Sequence, residues 1–135
     1  MIPNIGDLPV SNDEWLARYV VRKEHVRPDG TVKPDPFIPY KWVELSVTRH
    51  RGLDDQEIWA AGEDVSSELG EPLIGRADAK AEVYVQRGLR VVPAPLPKNR
   101  NHADVVGWPM DKPGQKEIAL LIAREATFRP RPRSS

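Results

Sequence analysis

An α+β fold is predicted for this chain of 135 residues: a small, mostly antiparallel sheet with two packed helices, in the order ββ-α-βββ-α. Three observations predict it. Val43, Leu45 and Val47 alternate with Glu44, Ser46 and Thr48, the two-residue period of a half-buried strand. Two stretches, 53–70 and 111–128, carry apolar residues at three- and four-residue spacing behind acidic, cap-forming starts. Between these stretches, prolines and glycines leave room only for short extended segments.

The elements follow in order. Residues 1–11 hold two prolines and a Gly-Asp pair, an irregular lead-in. Cap-type residues and acids at 11–14 suggest one or two helical turns near 12–18, and an extended segment then runs to about 26. Residues 27–40 contain four prolines, which forbid a helix, and Asp29-Gly30 marks a turn. This reads as a proline-stiffened surface arm, or as a lid or docking arm that displays Phe37, Tyr40 and Trp42. In the first helix Ile58, Ala61, Val65 and Leu69 lie near one face, acids occupy the first turn and Gly70 is a natural stop. Ala77, Ala79, Ala81, Val83 and Val85 alternate with polar partners, so 77–86 is read as a strand. A helix competes there, because alanine is a poor strand former. "LRVVPAPLP" and "ADVVGW" are two further strands. The last helix has Asp111 as cap, Pro113 in its first turn, and Ile118, Leu121, Ile122 and Glu125 at helical spacing; both helices are expected on one face of the sheet. The expected domain is 1–128, and the Arg/Pro-rich residues 129–135 read as a disordered tail.

Composition bounds the function. Charged residues make up 30% and hydrophobic residues 39%, the balance of a folded globule. The net charge is zero, which argues against a dedicated duplex-DNA binder. Without cysteine there is no disulfide, thiolate metal site or Cys nucleophile. The start has no signal-peptide pattern and no segment has the run of apolar residues that a membrane span needs, so the cytoplasm is the expected location. His25, His50 and His102 lack compact metal-site spacing, and the nucleotide-cradle and serine-elbow motifs are missing. The sequence therefore assigns no metal and no cofactor.

"PFIPYKWVELSVTRH", "IGRAD" and "NHADVVGWP" resemble a family of small bacterial proteins. That family's pattern is a Phe-containing segment, Glu-Leu-Ser-Val, an Asn-Pro-x-His-Ala turn and a Gly. Phe37, Glu44, Leu45, Ser46, Val47, Asn99, His102, Ala103 and Gly107 stand at those places, over about residues 24 to 126, and Arg100 replaces the usual proline. The resemblance implies a bacterial cytoplasmic protein and points to His102. It supplies no mechanism. An accessory role in a toxin–antitoxin or defence operon is the family-level expectation.

The densest chemistry lies in "TRHRG" at 48–52 and "NRNHAD" at 99–104. His50 and His102, with Arg49 and Arg100, are candidate catalytic residues: two imidazoles passing protons while arginine holds a phosphoryl charge. The plainer reading has His102 bonded to backbone in a tight turn and His50 solvated at a strand end. Candidate binding residues are Phe37, Tyr40, Trp42, Asn99, Asn101, His102, Asp104 and Trp108, with Trp42 and Trp108 either filling the core edge or anchoring a partner. Two functions follow. The first is a non-enzymatic interaction module with a protein partner. Its alternative is a small RNA-binding protein or a histidine-based phosphodiester-processing enzyme. The "RPRPR" tail is a solvated end, or a contact for RNA or an acidic protein.

Overall fold

The computed structural model describes residues 5–39 and 43–133. Its strands are β1 (Trp15–Val20), β2 (Leu45–Arg49), β3 (Gly75–Lys80), β4 (Arg90–Pro93), β5 (His102–Val106) and β6 (Thr127–Pro130). Its α-helices are α1 (Asp55–Leu69), α2 (Ala81–Val85) and α3 (Lys112–Glu125). The strands form one sheet in the order β4-β5-β2-β1-β3-β6, antiparallel at every junction. The α+β class and the small antiparallel sheet are those the sequence predicts, with one further strand and one further short helix.

β1 is apolar on both sides, as a central strand covered on both faces must be. Leu16 and Val20 join Leu45, Val47, Ala77, Ala79, Ala103 and Val105 in the main core, against Tyr84 of α2 and Ala119 and Ile122 of α3. Ala17 and Tyr19 point the other way, to Ile58 of α1 and to Leu73. The expectation of both helices on one face is thereby corrected: α1 and α3 take opposite faces. Gly62 explains how closely α1 approaches. A Cβ there would lie 2.6 Å from the Tyr19 ring. That ring is fixed by its hydroxyl, which donates to the Ile58 carbonyl at 2.5 Å.

The helix ends follow their sequence signals. Asp54 and Glu57 form a reciprocal capping box on α1, and Gly70 closes it at φ +68°. The Asp111 carboxylate accepts from the Gly114 N–H and caps α3. The buried stripe of α3 runs through Gln115, Ala119, Ile122 and Ala123, so Leu121 is only half-buried.

Three local readings are corrected. The caps at 11–14 do not open a helix. Ser11 N–H donates to the Glu14 carboxylate and its hydroxyl to Asp13, which makes a turn, and β1 starts at Trp15. Residues 77–86 are divided. Ala77 and Ala79 are strand, and their small side chains admit α3; the chain then turns into α2. The free N–H groups of Ala81 and Glu82 donate to the carbonyls of Glu14 and Asn12. Arg129 and Pro130 are not tail, because Thr127–Pro130 pairs with the otherwise open edge of β3. Gly75 permits this: a Cβ there would meet the Arg129 carbonyl and the Phe128 ring. Proline is tolerated on such an edge strand.

Arg49 is fully buried and ties the amino-terminal segment to the sheet. Its guanidinium grips Glu14 with two bonds, at 2.8 and 2.9 Å, and donates to the Leu8 carbonyl at 2.8 Å. Burial alone would raise the Glu14 carboxyl. Hydrogen bonds from Arg49 and Ser11, and the charges of Arg49 and Arg51, outweigh it and hold the carboxyl below its ordinary 4.5. A carboxyl lowered by folding stabilises fully above its unfolded value and loses that stability as pH falls through the folded value. Urea denaturation should therefore show stability falling below about pH 4.5. Glu14→Gln should lose ~3–5 kcal/mol at neutral pH, since it strands a buried guanidinium, and should flatten the acid limb. A loss below ~1 kcal/mol would contradict the pair's role.

Candidate functional site

The two histidine loops do not assemble the expected two-histidine cleft. His102 and His50 line different cavities. His102 is half-buried, with Nδ1 2.9 Å from the Ala94 carbonyl and Nε2 3.7 Å from Asp104. Arg49 is spent on Glu14, while Arg100 is exposed beside Asn99 and Asn101 near α1. Asn99 donates to the Thr48 hydroxyl at 2.9 Å and accepts from the Asn101 N–H. Asn101, nearly buried, donates to the carbonyls of Arg49 and Arg51 at 2.9 and 2.7 Å. Residues 99–102 thus act as a clasp between the start of β5 and the end of β2.

The aromatic anchors are also placed differently. Phe37 is wholly buried, with its ring centroid 6.4 Å from that of Tyr84. Trp108 is buried too, and its indole N–H donates to the Val105 carbonyl at 3.0 Å. Neither is displayed on an arm or patch; the proline-stiffened segment packs its own aromatic residue into the core. Tyr40 and Trp42 lie outside the described residues.

A charged cluster forms instead on the α1 face, and of the sequence candidates it holds only His50. In "IGRAD" the strand period puts Arg76 and Asp78 on one side of β3, and both are only 3% exposed. Asp78 Oδ1 lies 3.2 Å from His50 Nε2. Its Oδ2 receives Arg76 Nε at 3.1 Å and lies 3.2 Å from Arg129 Nε. Arg76 also donates to Asp55, in the first turn of α1, at 2.7 Å, and lies 4.6 Å over the Trp59 ring. Burial works against the Arg76 charge, but hydrogen bonds and charges from Asp55 and Asp78 outweigh it and raise its pKa. The Asp55 carboxyl is lowered, chiefly by its hydrogen bond from Arg76. One donor is left over: Arg76 Nη1 is buried without a hydrogen-bond partner.

These residues frame a cleft of about 240 Å³, with Trp15 and Thr127 on its walls. Trp15 is 44% exposed. The legible signals for this site are His50 and the same-face Arg76/Asp78 pair, since Arg129 arrives only through the β6 pairing. Among the described residues no group of three or more His, Cys, Asp or Glu is placed to hold a metal ion, and no helix is long and apolar enough to cross a membrane.

Two guanidiniums share the Asp78 carboxylate with His50. The arrangement fixes the orientation of both guanidiniums and of the imidazole. Compared with protein-family models, with curated proteins and with solved structures, the chain matches none.

The clasp gives a direct test. His102→Ala removes the bond to Ala94 and should cost ~1–2 kcal/mol in chemical denaturation. Unchanged stability would mean that the imidazole is not part of the clasp.

Proposed function

We propose that this protein is a non-enzymatic binding module that receives an acidic side chain of a protein partner in the cleft of His50, Arg76, Asp78 and Arg129. The carrying observation is the pair of guanidiniums, Arg76 and Arg129, that one Asp78 carboxylate orients at the wall of an open cleft. A carboxylate is the acceptor that oriented, charged donors bind best, and arginine presents it a planar fork. Arg129 is 60% exposed at the cleft and adds a second cation, with Arg131 and Arg133 exposed just beyond it. The arginine-rich segment is thereby brought to the site by strand pairing.

RNA is disfavoured by two features. Lys80 Nζ stands 5.6 Å from the Trp15 ring centroid, so the exposed indole already carries a cation where a base would stack. Asp55 and Asp78 line the same cleft and interrupt any track for a phosphate backbone. A two-histidine phosphodiester mechanism needs His102 beside His50, and His102 lines another cavity.

Calorimetric titration with an Asp/Glu-rich heptapeptide tests the reading. Arg129→Ala should weaken binding about fivefold, ~1 kcal/mol, and added salt should weaken it further. Arg100→Ala, at an exposed site elsewhere, should not change it. Tighter binding of a single-stranded RNA of equal charge, or equal losses from the two variants, would overturn the proposal.

A further inference from the structure

The sheet is parted at its centre. β1 pairs with β3 along all of Trp15–Val20 but meets β2 only at Leu16–Arg49 and Ala17–Thr48. An unbroken register would next pair Tyr19 with Ser46. Trp15 accepts from His50 on the β2 side, so by alternation Tyr19 also turns its backbone groups toward β2. Those groups face an opening. On the β2 side, Val43 holds φ +58°, a conformation that a β-branched residue rarely adopts.

Arg18 occupies this opening. Its Nε donates to the Pro36 carbonyl at 2.6 Å and its Nη1 to the Ser46 carbonyl at 3.0 Å. Both partners are neutral, and no ion pair involving Arg18 forms among the described residues. Desolvation lowers the Arg18 pKa, and the titratable group acting on it is the Tyr84 phenol, whose own hydroxyl is buried without a partner. Every other deeply placed arginine has its carboxylate: Glu14 for Arg49, and Asp55 and Asp78 for Arg76. Arg18 is half-buried, and a partly desolvated guanidinium that meets only neutral carbonyls gains from an anion.

Two cavities reach Arg18. The narrower, about 70 Å³, lies on the α1 side between Val21, Val47, Val65 and Leu69. The wider, about 390 Å³, opens toward His25, Pro36 and Ile38. Leu69 borders both and is 61% exposed. Four of the residues lining the narrow cavity are aliphatic, beside Tyr19 and the polar Ser46, Thr48 and His102, and that aliphatic stretch suits a short hydrocarbon chain. Asp35 and Glu71 stand at the wider opening and repel multiply charged anions.

We propose that the parting of β1 and β2 is a binding site for a small aliphatic monocarboxylate, its carboxylate on Arg18 and its chain along Val65 and Leu69. The site shares no residue with the acidic-peptide cleft and stands or falls independently of it.

Hexanoate is the probe, with hexanol and inorganic phosphate as controls, followed by backbone amide NMR on the full chain. Hexanoate should shift the Tyr19 and Ser46 amides saturably, while hexanol and phosphate should not. Arg18→Lys keeps the charge but loses the planar fork and should weaken binding about tenfold. Leu69→Glu, at an exposed rim position that the fold does not need, should weaken binding by like-charge repulsion. A wild-type protein whose Tyr19 and Ser46 amides stay unmoved by hexanoate would overturn the proposal. So would equal shifts with hexanol or phosphate, or unchanged affinity in Leu69→Glu.

Discussion

A carboxylate in the middle of a sheet is tolerable only when its lone pairs are used, and Asp78 uses them to join three separate parts of the chain. His50 comes from the end of β2, Arg76 from β3 itself and Arg129 from β6. Through Arg76 the same network reaches Asp55 and Trp59 on α1. That one buried charge thereby links the face under α1, the last strand and the walls of the cleft. It also explains why the cleft is polar although the opposite face of the same strand, Ala77 and Ala79, is purely apolar.

The Arg49–Glu14 pair does comparable work at another corner. There the cation is sealed: carbonyls of the amino-terminal segment and both Glu14 oxygens surround it. A guanidinium so enclosed organises the fold and leaves nothing for a ligand. Arg76 differs in lying on a cleft wall with a donor unused, and Arg18 differs in having only carbonyl partners. These three arginines thus separate into one structural lock and two proposed sites for a carboxylate from outside. The zero net charge of the chain hides these differences, because they arise from pairing and not from totals.

What the sequence made legible was local. The alternation at 45–47, the Asp111 cap, the Gly70 stop and the Asp29-Gly30 turn depend on neighbours a few residues away and stand as read, while Val43 leaves the strand and Thr48 is buried. What it hid was long-range. Asp78 alternates with alanines and reads as a solvated position; it is buried because α1 and β6 cover it. The arginine-rich end reads as a tail because nothing nearby says that β3 has a free edge relieved by Gly75. "TRHRG" and "NRNHAD" read as a site because they are dense in polar groups, yet Asn99, Asn101 and His102 spend those groups on backbone and on Thr48. Phe37 is the converse: prolines suggested display, while the ring fills the core against Tyr84.

The central claim is that the Asp78-centred cleft presents oriented guanidiniums to an acidic partner group. Side-chain NMR of the arginine Nε–H groups, recorded while the acidic heptapeptide is added, tests it most directly. The Arg76 and Arg129 resonances should move together along one saturating curve with the Trp15 indole N–H, while Arg49 stays still. Movement confined to exposed arginines such as Arg100 and Arg133, with Arg76 unchanged, would contradict the claim and reduce the interaction to diffuse surface charge.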